Sequence, residues 1–464
     1  MTSNHNKTII LGGGLSGLTA GYMLTRAGRT VSVIERDHAV GGLSRTMVKD
    51  GFRFDLGGHR FVTKDRTVDA LLRDLMAGNL ISVSRSSKIF LRGKYFDYPL
   101  KPLNAMFGMG VLGTARILAD YAKQRMRGRV EKRPIVSLED WVVSNFGRRM
   151  FSIYFQEYSE KIWGMDCRSI SADWVAHRIK GLSLGMAIRN AFLRRSGRSV
   201  PTLTERFLYP EKGIGCIADR LRAEIEVRNR VTTGMSVERI FHDAPLVRGV
   251  EVSDRAGTRI VEGGSFITTI PVTQLVRKLD PPPPQAVLDA AARLRFRDLV
   301  VVAVMLDRDR ATDQTWIYIP EKDIPFGRVH EPTNWSKGMA PPGKTLLVTE
   351  FFSTRGDAVW TTSDADLVDT AVSGLVRLGF IRSQEVRDSA VIRVPNAYPL
   401  FEIGYGQWCS VIHAYLGTYA NLVSAGRSAL FQYYNMDVAM RSGMEAAERV
   451  LNSEMRTDHT VVGS

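Results

Sequence analysis

The first pattern along the chain is a strand, a helix and a second strand. Lys7 to Leu11 (KTIIL) is a short β-branched run that reads as a buried strand. Gly12, Gly14 and Gly17 follow, leading into LTAGYMLTRAG, whose apolar residues recur at helical spacing and which ends at Gly28. A second apolar run, TVSVIE, closes the unit with Glu35 at its end. Near the other terminus, Asn421 to Met440 predicts a short strand ending at Gly426-Arg427 and a helix beginning near Met436-Asp437. Between them, Asn104 to Arg127 places apolar residues ahead of a basic end. Two readings of that segment stand: a helix covering the core of an insertion, or a helix resting on acidic lipid. No solenoid period is present.

Composition narrows the class. A chain of 464 residues is too long for one simple core, so two interleaved domains are expected. Hydrophobic content of 44% with 24% charged residues is that of an ordinary globular protein, here of mixed α/β type. Cys167, Cys216 and Cys409 are far apart and form no CxxC or Cys/His cluster, so neither a metal site nor a disulfide framework is expected. A reducing cytoplasm fits this usage. The apolar run after MTSNHNK is too short for a signal peptide or a membrane span. The net charge of +15 points to solubility or to anionic partners. Basic residues concentrate in Lys123 to Arg133 and Arg189 to Arg206 without the interleaved aromatics of a nucleic-acid groove, so nucleic acid is not expected as a partner. Contact with an acidic membrane surface at the inner face remains a candidate role for the basic helix, and the sequence leaves the oligomeric state open.

The βαβ unit carries chemistry. Its glycines permit a tight turn and close approach of the backbone to a pyrophosphate, which the helix N-terminus then faces. Glu35 lies 18 residues after Gly17, where an acid can bind the ribose hydroxyls of an adenosine. Residues 35–45, ERDHAVGGLSR, add a second glycine turn and an arginine, and resemble the FAD-binding pattern of the amine-oxidase-like flavoproteins. The resemblance implies non-covalent FAD, with Gly12, Gly14, Leu15, Ser16, Gly17, Glu35, Arg36, Gly42, Leu43 and Arg45 as cofactor residues. Three later segments resemble the same superfamily: Tyr209 to Leu221, a glycine turn into a helix; Thr232 to Ile240, where Val237 would meet the adenine by its backbone; and Ser265 to Leu275, a returning strand and turn. Gly426, Met436 and Asp437 would close the site, the helix N-terminus there facing the anionic edge of a reduced flavin. The implied fold is α/β. A Rossmann-like FAD-binding domain is formed by residues 1–60, 205–275 and 386–455. Residues 61–204 form a mostly helical insertion, residues 276–385 a sheet-containing substrate domain, and residues 456–464 a flexible tail.

Within that superfamily, four segments resemble the UDP-galactopyranose mutase branch. They are GGHRFVT at Gly57 to Thr63, KYFDYPL at Lys94 to Leu100, YSEKIWG at Tyr158 to Gly164, and GRSALFQYYNM at Gly426 to Met436. The departures are Asn435, where the mutases have an acid, and Val62, often histidine there. GGHRF, YFDYPLKP, WGMDCRSISADW and NAYPLFEIGY also resemble bacterial protoporphyrinogen-oxidase-like proteins. The mutase resemblance implies pyranose–furanose interconversion of a nucleotide-activated sugar through reduced flavin, with NAD(P)H as a candidate external reductant. The alternative is an oxidoreductase that dehydrogenates a small or apolar substrate. The candidate catalytic residues are His59, Arg427, Tyr433, Tyr434 and Asn435, and the candidate substrate residues are Trp163 and Arg178. Arginine suits a diphosphate because its planar fork pairs with two oxygens. A structural pairing of Arg427 with Glu402 or another carboxylate is the competing reading. Adjacent Tyr433 and Tyr434 would point to opposite faces, so one of the two is expected at the ligand. Trp163 packs either on the substrate or in the core.

Overall fold

The computed structural model describes residues 6–91, 93–98, 110–130, 134–173 and 206–461. At its base is a five-stranded parallel sheet in the order Leu422–Ser424, Ser265–Thr268, Lys7–Leu11, Thr30–Ile34, Arg230–Thr232. Lys7–Leu11 runs along its middle, which explains why its sequence is apolar on both sides. Ile10 packs with Leu18, Leu221 and Met440, from the helices Leu15–Arg26, Cys216–Glu226 and Met436–Val461, while Ile9 and Leu11 face the opposite core. A meander of Ser236–Asp243, Leu246–Asp254 and Gly257–Glu262 lies beside it, extended by Leu279–Asp280.

The second large unit is a seven-stranded sheet. Its order is Val386–Pro399, Phe296–Leu306, Thr345–Ser353, Arg328–His330, Trp316–Tyr318, Ser87–Leu91, Lys94–Asp97. Phe296–Leu306 is buried along its whole length. Val300, Val302, Val304 and Leu306 face one core, shared with Leu367, Ala371 and Leu375 of the helix Asp364–Arg377. Leu299, Val301, Ala303 and Met305 face the other. One expected boundary changes here. Residues 386–399, assigned from sequence to the FAD-binding domain, pair antiparallel with Phe296–Leu306, Ala390 opposite Ala303, because an apolar strand buried on both faces needs a partner on each edge. The insertion at 61–204 is not helical throughout. Its hairpin Ser87–Leu91/Lys94–Asp97 completes the far edge of this sheet through Trp316–Tyr318.

The helical part of the insertion includes Gly110–Val130, Leu138–Phe146 and Gln156–Trp163. Ser137 and Asp140 form a capping box at the second. A π-helical turn, Phe151–Phe155, precedes the third, an irregularity common beside functional sites. Ile117 of Gly110–Val130 is buried with Met150, Tyr154 and Phe96, so this helix covers the insertion core, as the first of its two readings has it. Leu112 and Met126 on its other side are exposed. No helix among the described residues is long and apolar enough to cross a membrane. The helix Met436–Val461 continues past 456, where a tail was expected to begin.

Candidate active site

The glycine cradle is built by close approach. Gly12 has φ +111°, and a Cβ on it would fall 2.1 Å from Thr269 Oγ1. A Cβ on Gly17 would fall 2.1 Å from the Gly12 carbonyl oxygen, so this glycine lets the helix Leu15–Arg26 pack on the strand. Gly14 differs: a Cβ there meets nothing within 4 Å, leaving open space at the helix N-terminus. Gly14 caps that helix with no side-chain hydrogen bond, and the first turn, which holds Leu15 and Ser16, has no acid. The orphan N–H groups and the helix dipole therefore face a space suited to a phosphate.

Around this cradle the other predicted cofactor residues converge. The Glu35 carboxylate accepts the N–H of Gly13 at 2.7 Å and of Asp37 at 2.9 Å. Burial raises its pKa. Gly41 N donates to Gly13 O at 2.8 Å, and a Cβ on Gly42 would lie 3.3 Å from Gly14 Cα, so the second glycine turn rests on the first. Arg45 Nη1 pairs with Asp37 at 3.0 Å, and Arg36 lies 3.7 Å from the same acid. Leu43 packs against the core. Met235 N donates to Glu35 O at 2.9 Å, two residues before buried Val237.

The C-terminal run closes over the same place. Gly426, at φ +85°, would carry a Cβ 2.6 Å from Ser16 Oγ, and its N–H donates to Ser442 Oγ at 2.9 Å. Met436 is buried in the first turn of Met436–Val461, and Asp437 follows with a buried Oδ1 that has no hydrogen-bond partner among the described residues. Arg427 lies 4.4 Å over the Tyr433 ring and 4.9 Å over the Tyr398 ring, and its Nη1 donates to the Tyr434 carbonyl at 3.2 Å. Tyr433 and Tyr434 diverge. Tyr433 stacks on Tyr398 at 6.0 Å, whereas the Tyr434 phenol, its pKa raised by burial and then by Glu445, belongs to another environment. Asn435 is exposed. Glu402, considered as a structural partner for Arg427, pairs with Arg295 at 2.7 Å.

A second arginine, which sequence reasoning did not single out, completes the cluster. Arg328 Nη1 pairs at 2.9 Å with Glu350, which is fully buried. Its Nε donates to Tyr158 at 3.3 Å, and Nη1 also reaches the Tyr398 hydroxyl at 3.4 Å. Burial opposes the Arg328 charge, but Glu350 and the tyrosines outweigh it and raise the pKa. Glu350 Oε1 accepts the Gly58 N–H at 3.1 Å and so ties the histidine loop to this arginine. His59 Nδ1 lies 3.1 Å from the Gly57 carbonyl. Burial lowers the His59 pKa to about 4, with the Arg427 and Arg328 charges adding to the shift. The ring is therefore neutral at pH 7, and an Nδ1–H donating to Gly57 leaves Nε2 as an acceptor. Behind the loop, His330 stacks against Trp316 at 5.7 Å and Trp335 at 5.0 Å, whose rings are 6.2 Å from each other. Trp163 is buried, 6.4 Å from Tyr398 and 6.3 Å from Phe401, and forms a wall of the cluster. On its far side is a separate cavity of about 290 Å³, rimmed by Arg277, Arg295 and Arg355, that no cradle glycine lines. Arg178 lies outside the described residues.

Over residues 15–451 the chain matches the flavin containing amine oxidoreductases. It belongs to that family. It is an FAD-dependent enzyme, and the glycine cradle fits that cofactor. Among curated relatives, an L-amino-acid oxidase from Sistrurus catenatus edwardsii is 45% identical over 67 residues, 14% of this chain and 13% of that protein. A 4,4'-diapolycopene oxygenase from Methylomonas sp is 50% identical over 58 residues, 12% of each chain. These matches span only about an eighth of the relatives' own length. Solved structures align along nearly the whole flavoenzyme. A reduced UDP-galactopyranose mutase has a TM-score of 0.83 at 22% identity, covering 96% of this chain and 94% of that one. A putative protoporphyrinogen oxidase from Exiguobacterium sp. 255-15 has a TM-score of 0.73 at 17% identity, covering 96% and 98%. At these identities the likeness is one of fold.

The residues missed in this amine-oxidase-family site had a signal. Glu350 is the one acid in the run TLLVTEFFS, and an acid inside a buried strand needs a cationic partner. Arg328 and Trp316 gave no comparable sign, and Tyr398, although within the quoted NAYPLFEIGY, is brought to the site by pairing with a strand about a hundred residues earlier.

Proposed function

We propose that this flavoenzyme acts on a nucleotide-activated sugar through reduced FAD, in a pyranose–furanose type of interconversion. The observation that carries the reading is the pair of arginines, Arg427 and Arg328, held among Tyr158, Tyr398 and Tyr433. Two guanidinium groups framed by phenols suit a diphosphate better than an apolar or amine substrate. When bound and reduced, FAD supplies the electron-rich centre that displaces the nucleotide from the anomeric carbon. The protein's part is to hold and orient. Arg427 and Arg328 retain the diphosphate after it leaves, so that it can return to the same carbon. Tyr398 and Tyr433 add neutral donors. Trp163 walls off water, and neutral His59 offers Nε2 as an acceptor beside the ring system. The cofactor is held without a covalent bond, and NAD(P)H is a suitable external reductant.

A second reading draws on the local likeness to L-amino-acid oxidases. Arg427 would then pair with a substrate carboxylate, and the product of turnover in air would be peroxide. Titration of the oxidised and the dithionite-reduced protein with UDP-hexoses, beside a peroxide assay with a panel of amino acids, separates the two. Tighter binding of nucleotide sugar to the reduced form supports the proposal. Peroxide from an amino acid, with no affinity for any nucleotide sugar, defeats it.

A further inference from the structure

Arg60 and Arg85 carry two positive charges outside the Arg427–Arg328 cluster. Arg60 follows His59 directly, in the loop that lies flat on Trp316; a Cβ on Gly58 would fall 1.9 Å from that ring. Arg85 sits in the turn between Leu80–Ser84 and Ser87–Leu91. That turn is pinned to the residues before Trp316–Tyr318. Ser86 N donates to Thr315 Oγ1 at 3.0 Å, Ser86 Oγ donates to Gln314 at 2.6 Å, and Thr315 N donates to Ser86 O at 2.7 Å. The Arg85 guanidinium lies 5.0 Å over the Tyr98 ring, which is 4.5 Å from the Tyr318 ring. Tyr318 is in turn 5.6 Å from Tyr158, the phenol that Arg328 engages.

The two arginines are poorly compensated. Among the described residues neither has an ion pair, and Arg85 Nη2 is buried without a hydrogen-bond partner. Burial, and then the nearby charge of Arg60, lower the pKa of Arg85. Arg60 and Arg85 both also act on the Tyr318 hydroxyl. Two like charges beside a phenol, with a donor left over, form an arrangement that an oxyanion would relieve.

We propose that Arg60 and Arg85, with the Tyr318 hydroxyl, form a separate anion subsite for a carboxylate or phosphate that the substrate carries in addition to its diphosphate. The inference rests on the nucleotide-sugar reading and narrows it: the preferred substrate is an acidic nucleotide sugar. The extra oxyanion can belong to the sugar, as in a uronic acid, or to a phosphate on the ribose.

Calorimetric titration of the reduced holoenzyme with two matched pairs tests this. One pair is UDP-glucose and UDP-glucuronic acid; the other is ADP and its 3′-phosphorylated form. The acidic member of one pair should bind on the order of tenfold to a hundredfold more tightly than its neutral counterpart, as a charge-assisted hydrogen bond would give. The pair that responds identifies the source of the oxyanion. Arg85→Gln and, independently, Arg60→Gln should bring the acidic ligand down to the neutral one's affinity and leave the neutral ligand unchanged. Arg60 makes no hydrogen bond among the described residues, so the second variant tests the idea even if the first fails to fold. Equal affinities within both pairs would overturn the subsite while the nucleotide-sugar reading stands. So would variants that weaken both members alike, since the arginines would then belong to the diphosphate clamp. Binding of none of the four ligands would remove the reading beneath it and the subsite together.

Discussion

Replacement of Glu350 by Gln should destabilise the enzyme and sensitise it to diphosphate. Glu350 is fully buried, and its Oε2 lies 2.9 Å from an Arg328 side chain that is only 12% exposed. The amide keeps the size of the carboxylate, and its oxygen can still accept the Gly58 N–H, now 3.1 Å from Oε1. What it removes is the charge opposite Arg328. Breaking a buried pair from one side costs roughly 3–5 kcal/mol, because the remaining charge stays desolvated and uncompensated. An exposed pair would cost no more than about 1 kcal/mol. Guanidinium unfolding of the holoenzyme, followed by the fluorescence of released FAD, reads the difference. A second arm adds saturating UDP. If Arg328 faces the diphosphate, UDP replaces the missing negative charge and should restore more stability to the variant than it adds to the parent. A loss below about 1 kcal/mol would refute the view of this pair as buried and mutually dependent. Equal stabilisation of both proteins by UDP would refute the role of Arg328 in the clamp.

Gly14→Val should fold but purify without the yellow of FAD, since its side chain enters open space where the pyrophosphate would lie; retained flavin absorbance would count against the cradle. Gly17→Ala, by contrast, meets the Gly12 carbonyl at 2.1 Å and should lose soluble protein as well as flavin. Arg427→Ala should weaken UDP-hexose binding by on the order of 2–5 kcal/mol, with the flavin spectrum nearly unchanged. Arg427→Lys should recover only part of that loss, having charge without the fork; loss of FAD from either variant would make the residue structural. His59 has a folded pKa of about 4 against an ordinary 6.5, so its neutral form is favoured by folding. Its contribution is full above about pH 6.5 and is lost as pH falls toward 4, and His59→Gln should flatten the melting-temperature profile across that window. An unchanged profile would mean that the ring is free to take up a proton.

The front of the molecule was legible because its chemistry is local. Gly12, Gly14, Gly17 and Glu35 lie within one βαβ unit, where turn, helix and strand follow one another in sequence; Gly12 and Gly17 answer close contacts, and Gly14 leaves open space at the helix N-terminus. The same holds for Gly426 and Met436, which close on Ser16 through a strand and helix start visible as a pattern. The substrate side was not legible in this way. Val386–Pro399 read as a return to the FAD domain, because nothing in its own residues says which sheet it joins; pairing with Phe296–Leu306, ninety residues earlier, decides that. Tyr398 reaches the site through that pairing, and Arg328 reaches it through Thr345–Ser353. The choice between Tyr433 and Tyr434 was open in sequence for a related reason. Alternation says that they diverge, and only the position of Tyr398 says which of them faces inward.

The distribution of charge bears on the reaction more than the fold does. A fold shared with a mutase and a putative oxidase leaves the substrate open. Arginine does not. Burying a guanidinium is costly unless something compensates it, so the number and setting of arginines near the cofactor record what the site expects to meet. Arg328 is compensated by Glu350, which holds it in position without occupying its whole fork. Arg427 lies within cation–π reach of two phenol rings. Arg60 and Arg85 sit close enough to repel. An amino acid brings a single carboxylate and a positive amine into such a site, and the amine would be repelled there. A diphosphate brings two negative charges and no positive one at that end. Under the proposed function, Arg427 and Arg328 are matched by the diphosphate and Arg60 and Arg85 by a further oxyanion, and the amine-oxidising reading would require the amine to find an acid other than Glu350, whose two oxygens are already engaged by Arg328 and Gly58.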